Sequence, residues 1–186
     1  MGPWRDVLSS VGIRNHWDAV IVCDGSGSGW GIGAGWASVV TTSNLRRSPL
    51  LTGAFSLGTV NIAEAMGVYQ ALMWLDSCGR QNMADSSGRI LRIHIISDSE
   101  LIVNQGNKKA VAKGPNRTIW RAIREYEREG WDLKFHWFGR DQIQLNQLCD
   151  HASRQARLAM EAIDVSSLLE DDRLSTYSFN PMDTPI

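Results

Sequence analysis

Two short apolar segments, each followed closely by an aspartate, constrain the fold of this chain more than any other feature of its sequence. Ala19–Cys23 is followed by Asp24, and Ile90–Ile96 is followed one residue later by Asp98. Both segments are rich in β-branched residues, a pattern that predicts buried central strands. Between them, Asn61–Cys78 predicts a deeply packed helix, because it is apolar on nearly all sides from Ile62 onward. A right-handed crossover through that helix would make the two strands parallel neighbours.

Three further strands and three further helices are predicted. The strands are Trp36–Thr41, Leu50–Phe55 and Leu133–Phe138, and the helices are Asp98–Gln105, Asn116–Glu129 (with Asn116 as its cap) and Leu145 to about Val165. The resulting order, βββ-α-β-α-α-β-α, predicts an α/β fold with a mixed five-stranded sheet flanked by helices. We expect this domain to span residues 17–165 after an N-terminal extension, residues 1–16.

Charge is unevenly distributed along the 186 residues. Residues 161–186 hold six acids and one base, and we expect residues 166–186 to form an acidic, disordered tail. Residues 108–124 hold six bases and no acid, which favours a surface that faces a polyanion. No apolar run approaches the ~20 residues of a membrane helix. Three widely spaced cysteines fit neither a disulfide framework nor a zinc cluster, so we expect a reducing, cytoplasmic location and no membrane partner.

Four carboxylates stand at unusual places in this pattern. Asp24 and Asp98 end neighbouring strands, where open α/β sheets place their ligands. Glu64 is the only charged residue between Ile62 and Leu75, and an unpaired buried carboxylate costs several kcal/mol. Asp150 lies one turn after Asn146 on the last helix. Converging carboxylates repel one another unless divalent cations neutralise them, so the set predicts a two-metal site for phosphoryl transfer.

Each of these acids also has a purely structural interpretation. Asp24-Gly25 is a favourable turn dipeptide. Asp98-Ser99 is able to cap a helix. Glu64 is favourable in the solvent-exposed first turn of a helix. Asp150 has the i,i+4 spacing for an ion pair with Arg154.

The residues and their order resemble a type 1 ribonuclease H over about residues 17–160. The resemblance rests on Asp24-Gly25-Ser26 after a strand, Thr59-Val60-Asn61-Ile62-Ala63-Glu64 opening a helix, Asp98-Ser99 ending a strand, and Gly139-Arg140 followed by Asn146 and Asp150. It implies endonucleolytic cleavage of the RNA strand of RNA·DNA hybrids, leaving a 5′-phosphate and a 3′-hydroxyl.

The same resemblance implies a catalytic and metal-binding set of Asp24, Glu64, Asp98 and Asp150. Two Mg²⁺ ions would bind there, with Mn²⁺ as a substitute, and no small-molecule cofactor is expected. Asp24 would bridge both ions. Asp150 would complete the coordination of the ion that activates water, and Glu64 and Asp98 would complete the coordination of the ion at the leaving oxygen. Metal-bound water ionises more easily, and two cations offset the charge of the transition state.

Eight residues are expected to contact the hybrid. Thr59 and Asn116 match positions that hold a DNA-strand phosphate, and Asn61 and Ser99 match positions near the minor groove, where the 2′-hydroxyl distinguishes RNA from DNA. The remaining four are Gly25, Ser26, Arg140 and Asn146.

The sequence departs from the family pattern in three ways. Many members have a histidine where Arg140 stands, and an arginine cannot shuttle protons at neutral pH. Val60 and Trp30 replace asparagines that contact nucleic acid in many members. The basic protrusion of some bacterial members is reduced to Asn107–Gly114, which predicts weak, salt-sensitive binding.

Two other functions fit the same fold. One is a DNA-directed nuclease of the resolvase or transposase type, which the pattern of Thr59, Asn61 and Asn116 disfavours. The other is a nucleic-acid-binding module without catalysis, which the presence of all four acids disfavours. Protein partners and oligomeric state stay open.

Two further patterns lead to structural expectations. Glycine occupies every odd position from Gly25 to Gly35, which never matches G-x-G-x-x-G and predicts a turn between strands. Trp74, Trp120 and Trp137 are expected in the core, whereas Trp30 could stack on a sugar or a base.

Overall fold

The computed structural model describes residues 2–13, 17–28, 33–43, 48–79, 91–139 and 143–161. The predicted tail lies outside these residues. The elements are α1 (Gly2–Ser10), β1 (Ala19–Gly27), β2 (Ala34–Thr42), β3 (Leu50–Phe55), α2 (Val60–Trp74), β4 (Arg92–Ser97), α3 (Glu100–Gly106), α4 (Asn116–Arg128), β5 (Asp132–Trp137) and α5 (Gln144–Glu161). A π-helical turn, Leu75–Gly79, follows α2. None of the helices within the described ranges is long and apolar enough to cross a membrane.

The five strands form one mixed sheet in the order β3-β2-β1-β4-β5. β1 pairs antiparallel with β2 and parallel with β4, and β4 pairs parallel with β5. The predicted mixed five-stranded sheet and its parallel central pair are therefore confirmed. The connection from β1 to β4 passes through α2, as the apolar segment between the two aspartates predicts.

Alternate residues of the central strands support two separate cores on the two faces of the sheet. Ala19, Ile21 and Cys23 of β1 pack with residues of α2, α3 and α4. Val20 and Val22 point the other way and pack with residues of α1 and α5. Because both faces are covered, β1 reads as a continuous apolar run in the sequence.

The N-terminal extension contains a helix that packs on the domain. Val7 of α1 is fully buried, and Trp4, Leu8 and Val11 pack around the cluster that contains Val20 and Val22. The indole N–H of Trp4 also donates a hydrogen bond to Ser48 Oγ at 2.7 Å. Helix α1 is therefore attached to the domain by apolar packing and by a hydrogen bond.

The glycine-rich segment is less turn-like than the sequence predicts. Gly25 and Gly27 lie in β1, and Gly35 lies in β2, so the predicted turn from Gly25 to Gly35 is wrong at both ends. A Cβ on Gly27 would lie 2.7 Å from the Val60 backbone nitrogen, and one on Gly35 would meet the backbone of α5 at Ser153 and Arg157. Glycine therefore allows two helices to approach the strands closely.

Two histidines on β4 and β5 form a hydrogen-bonded pair. His94 Nδ1 and His136 Nε2 lie 2.8 Å apart, and the two rings stack with their centroids 5.0 Å apart. Burial, together with nearby His136 and Lys134, lowers the pKa of His94 from 6.5 to about 4. Burial also lowers the pKa of His136. The pair shares one hydrogen bond only while at least one ring is neutral.

This pair is expected to make the protein less stable in mild acid. A histidine with a lower pKa in the folded than in the unfolded state takes up protons preferentially when unfolded. Its stabilising contribution is therefore complete above pH 6.5 and is lost as the pH falls toward 4. We expect the free energy of unfolding to fall by about 2 kcal/mol between pH 7 and pH 4.5 from this source. Urea unfolding at several pH values measures it, and His94→Phe should flatten the dependence, whereas the exposed His151→Gln should not.

Candidate metal and nucleic-acid site

The strand register brings the two predicted aspartates to the same edge of the sheet. Val22 of β1 lies opposite Ile96 of β4, and continuing this parallel register by two residues aligns Asp24 with Asp98. Asp24 is 1% exposed and lies just beyond Val22, the last residue of β1 that pairs with β4. β1 itself continues beside β2 to Gly27, so Asp24 does not end the strand as predicted. The predicted meeting of the two aspartates is confirmed.

Glu64 joins them from the first turns of α2. It is buried, as its isolation among apolar residues predicts, and not on the solvent side of the helix. Gly25 makes this possible, because a Cβ there would lie 2.5 Å from the Glu64 backbone nitrogen. The Gly25 N–H also donates to Asp24 Oδ1 at 2.8 Å. Gly25 thus orders one carboxylate and makes room for the second.

The three carboxylates form a compact group. One oxygen from each of Asp24, Glu64 and Asp98 lies within 4.8 Å of the other two. Burial raises the pKa of the Cys23 thiol well above its ordinary value, and Cys149, Glu64, Asp24 and Asp98 raise it further. The cluster therefore produces a negative potential that a cation would relieve. Clustered carboxylate oxygens are the ligands that Mg²⁺ and Mn²⁺ prefer, so these residues fit a divalent ion.

The fourth predicted carboxylate is not part of this group of three. Asp150 is partly exposed on α5 and pairs with Arg154, with the Arg154 Nη2 to Asp150 Oδ2 distance at 3.2 Å. One turn earlier, Asn146 is fully buried, and its Nδ2 donates to Asp98 Oδ2 at 3.5 Å. The start of α5 therefore reaches the cluster through Asn146, while Asp150 has the local ion pair that its spacing with Arg154 predicts.

Two of the expected substrate residues are helix caps. Thr59 Oγ1 accepts a hydrogen bond from Ile62 N at the start of α2. Ser99 Oγ accepts one from Ile102 N at the start of α3. Ser99 directly follows Asp98 in the sequence, and Thr59 caps the helix that carries Glu64. Asn61 is half-buried in the first turn of the same helix. Helix N-termini are favourable places for a phosphate.

Asn116 does not cap its helix, contrary to the prediction. Pro115 precedes α4 and no side-chain hydrogen bond caps the helix. Asn116 is instead 7% exposed, and its Oδ1 has no hydrogen-bond partner among the described residues. Proline has no backbone N–H to satisfy, and its ring fixes a helical φ angle. Helix α4 therefore begins after Pro115 without a side-chain cap.

The basic stretch is partly neutralised by an acid just beyond it. Glu127 pairs with Arg124 at 2.8 Å and with Lys108 at 3.2 Å. Arg124 also donates to the carbonyl oxygens of Gln105 and Gly106, so it holds the end of α3 against α4. Five bases of the stretch are exposed: Lys108, which pairs with Glu127, and Lys109, Lys113, Arg117 and Arg121.

Two residues beside the site were not identified from the sequence. Arg157 of α5 donates from Nε to Ser26 Oγ at 3.0 Å. Trp137 is 53% exposed, so its predicted place in the core is wrong, and its indole N–H donates to the Asp98 carbonyl oxygen at 3.1 Å. The first contact joins residues that are 131 positions apart in the sequence, and the second joins residues that are 39 positions apart. No local sequence pattern encodes either contact. Arg140 and Trp30 lie outside the described residues.

No protein-family model and no curated protein matches the chain. Among solved structures, the chain is similar to the N-terminal RNase H domain of a Mycobacterium tuberculosis protein (TM-score 0.64, 21% identity, 78% of this chain and 97% of that one). It is also similar to LC11-RNase H1, isolated from compost and solved in complex with an RNA/DNA hybrid (TM-score 0.64, 22% identity, 78% of this chain and 100% of that one). A third similar structure is RNase H1 of the halophilic archaeon Halobacterium salinarum (TM-score 0.59, 19% identity, 75% of this chain and 96% of that one). The chain therefore has the RNase H-like fold, as the sequence predicts.

Proposed function

We propose that this protein is a divalent-metal-dependent endonuclease that cleaves the RNA strand of RNA·DNA hybrids. The observation that carries the proposal is the convergence of Asp24, Glu64 and Asp98 at one edge of an RNase H-like sheet. Solved structures with this fold include RNase H1 domains, one of them bound to an RNA/DNA hybrid.

The proposed reaction is hydrolysis of a phosphodiester. The oxygen of a water molecule forms a bond to phosphorus, the bond from phosphorus to the 3′ oxygen breaks, and that oxygen takes up a proton. The products carry a 5′-phosphate and a 3′-hydroxyl. Mg²⁺ ions, when bound, supply charge neutralisation and a lower pKa for water.

The chain's own residues hold and orient the participants. Asp24, Glu64 and Asp98 would bind the cations, and the Gly25 N–H and the Asn146 amide orient two of these carboxylates. We propose that Asp150 joins them when it leaves Arg154, which is a small cost because exposed ion pairs contribute about 0–1 kcal/mol. Neither Arg154 nor Arg140 donates protons readily at neutral pH, so water is the proton acceptor and donor in this proposal.

Substrate contacts are proposed at the N-termini of three helices. Thr59 and Asn116 would hold a DNA-strand phosphate, and Asn61 and Ser99 would face the minor groove. Gly25, Ser26, Arg140 and Asn146 complete the proposed contact set. A phosphate would accept a hydrogen bond from the Asn116 amide nitrogen, whereas the buried Oδ1, unsatisfied among the described residues, would need a separate donor.

Hybrid binding is expected to weaken steeply with salt. Lys108 is exposed but pairs with Glu127. If the other four exposed bases, Lys109, Lys113, Arg117 and Arg121, each neutralise one phosphate, affinity should fall by roughly 100-fold between 50 and 200 mM salt. Fluorescence anisotropy of a labelled hybrid in Ca²⁺ measures this. Lys113→Ala should lower the slope of log affinity against log salt by about 1. An affinity that stays flat over this range would contradict the proposed surface.

The proposed function is tested with labelled duplexes of one sequence. RNA·DNA hybrid, DNA·DNA and RNA·RNA are incubated with Mg²⁺, and product ends are identified by ligation and phosphatase sensitivity. Cleavage restricted to the RNA strand of the hybrid supports the proposal. Cleavage of DNA·DNA would instead identify a DNA nuclease, and binding of the hybrid without any cleavage would identify a non-catalytic module.

A further inference from the structure

Trp137 is placed unusually for so large an apolar side chain. It is the last residue of β5 and is 53% exposed, so it contributes little to the core. Its indole N–H nevertheless makes a hydrogen bond of 3.1 Å to the carbonyl oxygen of Asp98. A tryptophan costs solubility when exposed, so its polar contact rather than its burial explains its position.

The hydrogen bond lies where the sheet stops supporting the backbone. The last paired residues of β4 and β5 are Ser97 and Trp137, so Asp98 follows the end of the ladder. Ser99 then caps α3. Asp98 is thus a single connecting residue between a strand and a helix cap, and the Trp137 indole N–H holds its carbonyl oxygen.

The Asp98 side chain has a separate support. Asn146 Nδ2 donates to Asp98 Oδ2 at 3.5 Å, from the other face of the sheet. Trp137 fixes the backbone of Asp98, and Asn146 orients its carboxylate. Groups that orient metal ligands in this way are worth about 10–100-fold in metal affinity.

We propose that Trp137 is a positioning residue for metal binding: its indole N–H holds Asp98 in the carboxylate cluster with Asp24 and Glu64. The inference rests on the proposed function, in that it takes the cluster to be the metal site. It assigns the exposed indole a role in preorganising the site, since a ligand held in place loses less entropy on binding.

The experiment compares two variants that each lose one indole hydrogen bond. Trp137→Phe removes the bond to Asp98 and keeps an aromatic ring. Trp4→Phe removes the indole hydrogen bond from Trp4 to Ser48 Oγ, a bond that helps to attach α1 to the domain. Mg²⁺ and Mn²⁺ affinities of the full chain are measured by calorimetry without nucleic acid, and thermal unfolding in EDTA reports the stability of each variant.

We expect Trp137→Phe to bind the metal about 10-fold more weakly. Trp4→Phe should bind like the wild type, and both should remain folded. In hybrid cleavage, Trp137→Phe should need more Mg²⁺ for half-maximal rate, with the KM for the hybrid unchanged at saturating Mg²⁺.

Equal metal affinity in Trp137→Phe and the wild type would overturn the inference, as would equal losses in both variants. Undetectable metal binding by the wild type would overturn it as well. If the wild type binds metal but does not cleave the hybrid, the proposed function fails, while a selective loss in Trp137→Phe still supports the role of Trp137.

Discussion

Replacing Asp24 by asparagine is expected to abolish hybrid cleavage and to stabilise the metal-free protein. Asp24 is 1% exposed, and one of its oxygens lies within 4.8 Å of oxygens of both Glu64 and Asp98. The amide retains the shape of the side chain but removes the charge that would attract a cation. We expect a loss of at least ~1000-fold in kcat, equivalent to about 4 kcal/mol of transition-state stabilisation.

The stability of the same variant should change in the opposite direction. Three clustered carboxylates repel one another when no cation is present, and repulsion inside a protein is stronger than in water. Asp24→Asn should therefore raise the free energy of unfolding in EDTA by about 1 kcal/mol or more, and Mg²⁺ should no longer stabilise the protein. Urea unfolding with and without Mg²⁺ measures both effects.

A buried aspartate outside the cluster provides the matched control. Asp18 is 2% exposed, and its Oδ2 accepts a hydrogen bond from Arg92 N at 2.8 Å. Asp18→Asn should leave cleavage and the Mg²⁺ effect on stability unchanged, with no gain in stability. If Asp24→Asn cleaves as fast as the wild type, the cluster is not the catalytic site.

Much of the fold follows from hydrophobic patterning. The apolar segments before Asp24 and Asp98 become neighbouring parallel strands, because a right-handed crossover leaves them few other arrangements. Glu64 could be placed in the site for a related reason: its burial on an apolar helix would be costly without a partner. The three carboxylates that meet in the structure, those of Asp24, Glu64 and Asp98, stand where burial or a strand edge constrains a charged residue.

What the sequence did not predict are contacts set by the geometry of distant elements. The bond from Trp137 to Asp98 depends on where β4 and β5 stop pairing, and an aromatic residue next to an apolar strand is equally compatible with the core. Asn116 looked like a cap because the residue type is common there, but proline at the preceding position already starts the helix. Tertiary structure therefore decides the place of Trp137, whereas the neighbouring proline decides that of Asn116.

The structural roles of the glycines are also not predictable from the sequence alone. Alternating glycines are typical of a mobile turn, but Gly25 and Gly35 are strand residues at points where helices approach too closely for a side chain. The sequence shows that side chains are absent at these positions. Only the packing shows which neighbouring element requires that absence.

Gly25→Ala is therefore expected to disrupt the site through the backbone of α2. The new Cβ would lie 2.5 Å from the Glu64 backbone nitrogen and 2.7 Å from its Cγ. Because a helix backbone cannot move aside as a flexible side chain does, α2 must shift and carry Glu64 with it. We expect a loss of stability of about 1–3 kcal/mol, and a fall in kcat of about 100-fold because displacement of a positioned group by about 1 Å has that effect.

Gly67→Ala separates this effect from a general loss of helix packing. Gly67 lies on the same helix against β1 and β2, but its added Cβ would lie 3.1 Å from Ser38 Oγ and 3.5 Å from the nearest backbone atom. The higher helix propensity of alanine, worth up to about 1 kcal/mol, offsets the tighter contact. This variant should remain within about 1 kcal/mol of the wild type and keep its cleavage rate. If Gly25→Ala were equally active at temperatures where it is folded, the close approach of β1 to α2 would not be what places Glu64 in the cluster.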